Sequence, residues 1–249
     1  MPNSDIWPLH QNDVKTAFGL LTRLPVKIDA DLAQKRGAAQ LWAFPFVGFA
    51  LGPLVCAVAV LGGALSLPPL AIGFAVVALL AIITGAMHED GFADCLDGFW
   101  GGWTPAQRLD IMKDSRVGVY AVVGLVCLIG IKAVLWAEIL QDHIWAAMGI
   151  LALSRAMMLP VMYYLPHARP TGLSGSVGTP PRDIMFVGLG LGVFLAVVCG
   201  IWPAVIFCGL ATWGMAALAQ RKIGGQTGDV LGATQQIAEL GALIAVVAV

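Results

Sequence analysis

Long stretches without a charged residue restrict the fold of this chain more than any other feature of its sequence. Residues 41–67 contain no Asp, Glu, Lys or Arg, and a helix of that length can cross a hydrocarbon core of about 30 Å. The chain is 59% hydrophobic and only 12% charged, which excludes an ordinary water-soluble domain. We therefore predict an all-α fold, a polytopic bundle of transmembrane helices.

The other apolar runs set the number of spans. Residues 184–200 and 204–219 form either two short spans or one broken helix, so we predict six or seven spans. An amphipathic segment, residues 13–25, precedes the first span and is expected to lie along the membrane surface. Since no soluble domain is evident, residues 1–249 are treated as one membrane-embedded catalytic domain. The remaining predicted spans are 41–67, 70–87, 117–137, 144–165 and 230–249.

Basic residues predict how the bundle lies in the membrane. Cytoplasmic loops retain Lys and Arg, and with the N-terminus inside, all but two of the fourteen basic residues are cytoplasmic. The two exceptions, Lys132 and Arg155, lie within predicted spans. This orientation brings three polar segments, residues 88–118, 166–183 and 224–229, to the cytoplasmic face. Residues far apart in sequence can therefore share one cytoplasmic site.

An acidic stretch, residues 88–118, interrupts the apolar chain and contains six of its fifteen acidic residues. Asp90, Asp94 and Asp97 follow the spacing i, i+4, i+7, which places three carboxylates on one face of a helix. Carboxylates held together raise one another's pKa and need a cationic partner. We predict that this partner is Mg²⁺, a hard cation that prefers oxygen ligands, with the three aspartates as its ligands.

The second part of the acidic stretch adds further candidates. Asp110 and Asp114 repeat the i, i+4 spacing on a second short helical piece, so two acidic faces are expected to converge on one space. Glu89 and Asp110 are additional candidate metal ligands, and Gly98 lies where a phosphate would need close approach to the backbone. The alternative interpretation is a solvated, salt-bridged loop between two membrane helices.

Aspartates and basic side chains together at the mouth of a helix bundle suit phosphoryl transfer. Metal ions neutralise a diphosphate, a carboxylate accepts a proton from an attacking hydroxyl, and Arg or Lys binds the phosphate that is not transferred. We assign the general base to Asp114, with an ion pair to Arg116 or Lys113 as the alternative. Lys113 and Arg116 are expected to bind diphosphate oxygens or, alternatively, lipid headgroups.

Four further polar residues are candidates for substrate contacts. A charge inside a span is costly, so Arg155 is expected either to bind a substrate phosphate or to pair with Glu239. Arg169 is a second candidate for a phosphate. Asp229 and Thr227 lie in the polar segment 224–229, where they would bind the metal or a nucleotide. The net charge of −1 gives no indication of a nucleic-acid partner.

Several motifs resemble those of the cobalamin synthase family, the adenosylcobinamide-GDP ribazoletransferases. Residues 88–98 (HEDGFADCLDG) are similar to the family signature. Further similar motifs extend the resemblance over most of the chain: 21–25 (LTRLP), 42–48 (WAFPFVG), 111–118 (IMKDSRVG), 168–170 (ARP) and 225–233 (GQTGDVLGA).

The resemblance implies the last assembly step of the nucleotide loop of vitamin B12. A hydroxyl of α-ribazole, or of its 5′-phosphate, would attack the corrinoid-bearing phosphate of adenosylcobinamide-GDP, and GMP would leave. It also implies dependence on Mg²⁺ and location in the bacterial inner membrane. The expected partners are thus these small molecules and the lipid bilayer, while the oligomeric state stays open. Arg155 and Arg169 would contact the guanylyl or ribazole phosphate.

Two other functions are alternatives. Residues 94–98, followed by Asp110 and Asp114, also resemble a compressed aspartate signature of CDP-alcohol phosphotransferases, but the usual Ala-Arg after the second aspartate is replaced by Trp100-Gly101. A cation-coupled transporter would also use intramembrane acids. Transporters place such acids near the bilayer midplane within repeated halves, whereas here the acids cluster at one face and no repeat is visible.

Overall fold

All regular secondary structure is helical in the residues that the computed structural model describes, 9–169 and 172–248. These residues form thirteen α-helices and a 3₁₀ helix, Gly37–Ala43, which confirms the predicted all-α fold. Pro170 of the ARP motif and Val249 of the last predicted span lie outside the described residues. The helices are α1 Gln11–Leu21, α2 Ala30–Arg36, α3 Phe44–Ala64, α4 Pro69–Thr84, α5 Met87–Gly101, α6 Pro105–Ile111, α7 Val119–Asp142, α8 Ala146–Ala156, α9 Met158–Tyr164, α10 Leu173–Val177, α11 Arg182–Val198, α12 Pro203–Ile223 and α13 Gly228–Ala248.

Five helical stretches among the described residues are long and apolar enough to cross a membrane. A sixth is obtained if α4 and α5 together form one broken span, so the prediction of six or seven spans is met only at its lower value. Residues 184–219 belong to two helices, α11 and α12, separated by residues 199–202; α12 is one of the five stretches, whereas α11, with 17 residues, is not. The five stretches are Ala30–Ala64, Val119–Asp142, Ala146–Tyr164, Pro203–Ile223 and Gly228–Ala248.

A sharp bend separates α4 from the acidic helix α5. The two helix axes meet at 94°, because Gly85 (φ 67°) and Ala86 (φ 55°) both adopt the left-handed conformation. A left-handed residue ends a helix by breaking its hydrogen-bond ladder. The sequence predicted a span over residues 70–87, but the helix ends at Thr84. The acidic helix consequently runs nearly perpendicular to α4 and packs against α7 and α13.

Small residues bring the apolar helices into close contact. A Cβ placed on Gly48 of α3 would lie 1.9 Å from the carbonyl oxygen of Leu151 in α8, and one on Gly73 of α4 would lie 2.0 Å from that of Ala133 in α7. Helices in a bilayer associate mainly through such backbone proximity and van der Waals packing. These contacts fix α3, α4, α7 and α8 around one hydrophobic core.

The N-terminal helix is attached to the bundle by a buried carboxylate. Asp13 of α1 is fully buried and forms an ion pair with Arg36, with 2.5 Å between Nε and Oδ1. Its other oxygen accepts a hydrogen bond from Trp42 Nε1 at 2.8 Å. The polar side of the predicted amphipathic segment therefore contacts protein in part, and α1 packs against the 3₁₀ helix and α3.

Candidate functional site

The acidic face predicted from sequence spacing is present on α5. Asp90, Asp94 and Asp97 all lie within this helix, Met87–Gly101. Asp94 is half-buried, and its carboxylate is exposed to the negative charges of Asp229, Asp90 and Asp97 and to the positive charge of Arg169. A fourth carboxylate, from the start of α13, thus joins the three that the spacing identified.

Backbone pairing joins two polar segments that are distant in sequence. Gln226 N–H donates to the Pro166 carbonyl at 2.8 Å, and Ala168 N–H donates to the Gln226 carbonyl at 2.9 Å. Gly225 permits this approach, since a Cβ there would lie 2.1 Å from the Pro166 oxygen. The prediction that these segments meet is confirmed, and Arg169 is thereby positioned beside Asp229.

Glycine also brings the acidic helix against the start of α13. A Cβ on Gly91 would lie 2.7 Å from the carbonyl oxygen of Asp229, and a Cβ on Gly232 would lie 3.2 Å from the Cα of His88. Larger residues at either position would separate α5 from α13. The contact therefore depends on glycines within the 88–98 and 225–233 motifs.

A polar cleft opens where α5, α10 and the two paired segments meet. Its volume is about 180 Å³, and its lining includes Asp90, His167, Arg169, Ser174, Gln226, Thr227 and Asp229. Arg169 forms an ion pair with Asp229. Thr227 caps α13 by accepting a hydrogen bond from Val230 N–H at 3.3 Å, and its hydroxyl donates to Asp229 at 3.1 Å. We call this space the cleft.

The cleft can supply part of a cation's coordination shell. Among the described residues, no three His, Cys, Asp or Glu side chains are close enough together to hold one ion. Asp90 and Asp94 nevertheless present carboxylates for which no hydrogen-bond or ion-pair partner occurs in the described part of the chain. Mg²⁺ is commonly held by one or two carboxylates together with substrate phosphates, and this donor set fits that mode.

Asp97 has a structural role in the fold. Its two oxygens accept hydrogen bonds from Gly118 N–H at 2.6 Å and from Ala121 N–H at 3.0 Å. These amides begin α7, so Asp97 caps that helix from a distant position in the chain. The predicted metal ligand is thus already bonded through both oxygens.

The second acidic pair does not form the helical face that its spacing predicted. Asp110 is exposed on α6, and Asp114 lies in the turn after α6 ends at Ile111. Asp114 pairs with Arg116 at 2.5 Å, and that arginine is 87% exposed. Hydrogen bonds from Arg116 hold the pKa of Asp114 below its ordinary value, which weakens it as a base. Lys113 is exposed in the same turn.

Gly98 provides close packing between α5 and α6. A Cβ at this position would lie 2.4 Å from Met112 Cγ and 2.9 Å from the Arg108 carbonyl oxygen. The predicted close approach at Gly98 therefore exists, but the group that approaches its backbone is protein and not a phosphate. Arg108 strengthens the same junction by donating to the carbonyls of Gly102 at 3.0 Å and Lys222 at 2.8 Å.

Glu89 faces the interior of the bundle, away from Asp90. Its Oε1 accepts a hydrogen bond from Gln236 at 3.0 Å, and Gln236 Oε1 accepts one from Lys132 Nζ at 2.7 Å. Lys132 also pairs with Glu239 at 2.9 Å. We call this set, completed by Gln235 and Ser154, the buried network.

Arg155 is buried beside this network without a direct ion pair. Its Nη1 donates to the Leu151 carbonyl at 3.1 Å, and the side chain is 1% exposed. The direct ion-pair partner of Glu239 is Lys132, so the predicted pairing of Arg155 with Glu239 occurs only as a longer-range electrostatic attraction. Contact between Arg155 and a substrate phosphate stays a prediction, although the side chain does not line the cleft.

Comparison with known proteins identifies the family. A sequence profile described as Cobalamin-5-phosphate synthase matches residues 13–247. The chain belongs to the cobalamin-5-phosphate synthase family. It is 42% identical to the adenosylcobinamide-GDP ribazoletransferase of Brucella canis over 253 aligned positions, which cover 94% of this chain and 96% of the relative. Identity to the protein of the same name from Brucella melitensis is 41%. No solved structure matches the chain.

Three of the sequence motifs that resemble the cobalamin synthase family border the cleft. The 88–98 motif lies within α5, and the 225–233 motif contains Gln226, Thr227 and Asp229. Arg169 comes from the ARP motif. The resemblance recognised in the sequence is confirmed, and three of its motifs meet at one site.

Sequence reasoning did not identify all the polar residues of this synthase-family cleft. His167 and Ser174 lie in the polar segment 166–183, for which only a cytoplasmic location was predicted, and Gln226 was noted only as part of a motif. The available signal was the presence of a histidine directly before the ARP motif. The neighbours of His167 could not be predicted, because they lie in α10 and at residue 226, whose positions depend on the tertiary fold.

Proposed function

We propose that this protein transfers the adenosylcobinamide phosphoryl group of adenosylcobinamide-GDP to α-ribazole 5′-phosphate, or to α-ribazole, and releases GMP. Membership of the family supports this reaction class, and the curated relatives carry the name of that enzyme. The family description names a 5-phosphate product, which favours the phosphorylated acceptor. The observation that carries the proposal is the meeting of three family motifs at one polar cleft.

Asp90 and Asp94 are the residues that would hold Mg²⁺. They are acidic neighbours whose carboxylates lack partners within the described residues, and a bound cation would relieve their repulsion. When bound, the ion supplies neutralisation of the diphosphate and of the leaving GMP. Asp97 is left out of this set because both of its oxygens are bonded to α7, and Glu89 because it does not line the cleft and its Oε1 is bonded to Gln236.

The reaction exchanges one P–O bond for another. The acceptor hydroxyl oxygen bonds to the corrinoid-bearing phosphorus, and the bond from that phosphorus to the bridging oxygen breaks, so GMP leaves with that oxygen. One oxygen of Asp90 would hold the ion and the other would take the hydroxyl proton, because Asp90 lines the cleft whereas Asp114 is tied to Arg116 on an exposed turn. Arg169 binds a phosphate, held in position by Asp229.

The start of α13 contributes to phosphate binding. Helix N-termini carry partial positive charge and free amide donors, which favour anions. Thr227 and Gly228, at the start of α13, both line the cleft. A diphosphate bound there would lie between this helix end and the acidic face of α5. The positive end of α13 would thus offset the repulsion between the anionic substrate and the three carboxylates of α5.

We infer that the cleft faces the cytoplasm and that the protein resides in the bacterial inner membrane. Basic residues occur in the loops next to the cleft, and the positive-inside rule places such loops in the cytoplasm. The bilayer is then the medium for the helices, and Mg²⁺ and the nucleotide substrate are taken from the cytoplasm.

The function is tested with the full-length protein purified in detergent. We expect GMP release from adenosylcobinamide-GDP and α-ribazole 5′-phosphate with Mg²⁺. Release should stop when the ion is chelated and should recover when the ion is returned. A parallel reaction supplies a CDP-alcohol and an alcohol acceptor. CMP release without GMP release would contradict the proposal and assign the protein to the CDP-alcohol phosphotransferases.

A further inference from the structure

A cluster of three polar side chains joins the paired segments at the cleft. Ser174 of α10 and Gln226 are buried, with 5% and 0% exposure. Ser174 Oγ donates to Gln226 Oε1 at 2.5 Å, and Nδ1 of His167 lies 2.8 Å from Gln226 Nε2 and 3.1 Å from Ser174 Oγ. His167 itself is half-buried and lines the cleft with Asp90, Arg169 and Asp229.

These contacts determine which nitrogen of His167 carries the proton. The Ser174 hydroxyl bonds to the amide oxygen of Gln226, and 2.5 Å is a distance of O–H···O bonds. The amide nitrogen therefore faces His167. An amide nitrogen only donates, so the shorter contact of Nδ1, the one to Gln226, is a hydrogen bond when Nδ1 accepts, and this favours the neutral tautomer with the proton on Nε2 over the one in which Nδ1–H donates to Ser174 Oγ.

Nε2 of His167 makes no short hydrogen bond within the described residues. Its contact within the described residues is a long one, 3.4 Å to Oγ1 of the exposed Thr179. Among the described residues, the carboxylates of Asp90 and Asp229 and the guanidinium of Arg169 line the cleft, and the carboxylate of Asp94 lies close enough to interact with all three. A diphosphate that enters this acidic space needs hydrogen-bond donors, and these donors need not be charged. The N–H group of a neutral imidazole is such a donor.

We propose that His167 binds the reacting phosphoryl group, its Nε2–H donating to a non-bridging oxygen, and that Gln226 is the positioning residue that holds the proton on Nε2. This assignment rests on the proposed function and adds a catalytic residue to it. The hydrogen bond strengthens as negative charge develops on the oxygen in the transition state, so it contributes to kcat more than to KM.

The first experiment compares two substitutions that differ only in the position of an amide nitrogen. The amide nitrogen of Gln occupies the position of Nε2, and that of Asn occupies the position of Nδ1. We expect His167→Asn to lower kcat for GMP release by about 100-fold, the usual effect of losing one transition-state donor. We expect His167→Gln to stay within about tenfold of the wild type.

The second experiment reverses the tautomer. In Gln226→Glu the carboxylate can only accept, so neutral His167 would place its proton on Nδ1 and leave Nε2 bare. The imidazolium form still carries Nε2–H. This variant is therefore expected to lose kcat as the pH rises, because its neutral imidazole has no Nε2–H, whereas the wild type keeps this donor at high pH.

The outcomes separate the inference from the proposed function. Wild-type protein that releases no GMP would overturn both. Active wild type with equal kcat values for His167→Asn and His167→Gln would overturn the role of His167 alone. A Gln226→Glu variant whose pH profile matches that of the wild type would overturn the tautomer assignment, even if its overall activity is reduced by a folding defect.

Discussion

Two adjacent residues of α5, Glu89 and Asp90, lie in opposite surroundings. Glu89 is part of the buried network, where its Oε1 is bonded to Gln236 and where Lys132 pairs with Glu239. Asp90 lines the cleft, where carboxylates are brought together without enough cations to neutralise them. Charges that are mutually satisfied hold helices together, and charges left unsatisfied are available to a ligand. The comparison therefore predicts stability effects for the network and activity effects for the cleft.

The largest stability effect is expected for Lys132→Met in the buried network. Removing Lys132 takes from Glu239 its direct ion-pair partner, and loss of one partner of a buried pair costs about 3–5 kcal/mol. Thermal unfolding in detergent should show a large fall in Tm. The double variant Lys132→Met with Glu239→Gln should recover most of it. A single variant as stable as wild type would show that the pair does not stabilise the bundle.

An intermediate effect is expected for Asp97, and it decides between two roles. Asp97→Ala removes the cap of α7 and should cost about 1 kcal/mol, whereas Asp97→Asn should retain most of the stability because Asn is an equally good cap. Both variants should keep GMP release. Stable Asp97→Asn protein without activity would instead support the metal-ligand role that the sequence spacing predicted.

The smallest effect is expected for Asp114, which the sequence assigned as the general base. Its carboxylate pairs with Arg116 on an exposed turn, and such pairs contribute little. Asp114→Asn should change kcat for GMP release by no more than about twofold. A large loss of kcat with a retained Tm would show that this turn closes over the cleft when substrate is bound.

The parts of the site that could be predicted from sequence are those governed by periodicity and by membrane topology. The spacing of Asp90, Asp94 and Asp97 placed them on one helical face, and the distribution of Lys and Arg brought the segments near Arg169 and Asp229 to the same end of the bundle. Both inferences depend on local geometry or on whole-chain charge, which a single sequence contains.

The residues that were placed incorrectly depend on how helices are rotated against one another. Glu239 pairs with Lys132 and not with Arg155, although both basic residues lie in neighbouring helices. Asp97 reaches the start of α7, and Gly98 packs against α6, because α5 turns through 94° after α4. That turn rests on the left-handed conformation of Ala86, for which the sequence gives no warning.

The most direct test of the comparison is GMP release and thermal stability measured together for Asp94→Asn. The predicted result is a loss of kcat on the order of 100-fold or more, comparable to removal of a transition-state contact, with an unchanged or higher Tm, because one of several repelling carboxylates has been removed. Asp142→Asn is the matched control, because Asp142 lies at the end of α7 that is far from the acidic helix. This variant should leave kcat and Tm unchanged. Full activity of Asp94→Asn, or a fall in its Tm as large as that of Lys132→Met, would contradict the assignment of the cleft as the acidic reaction site.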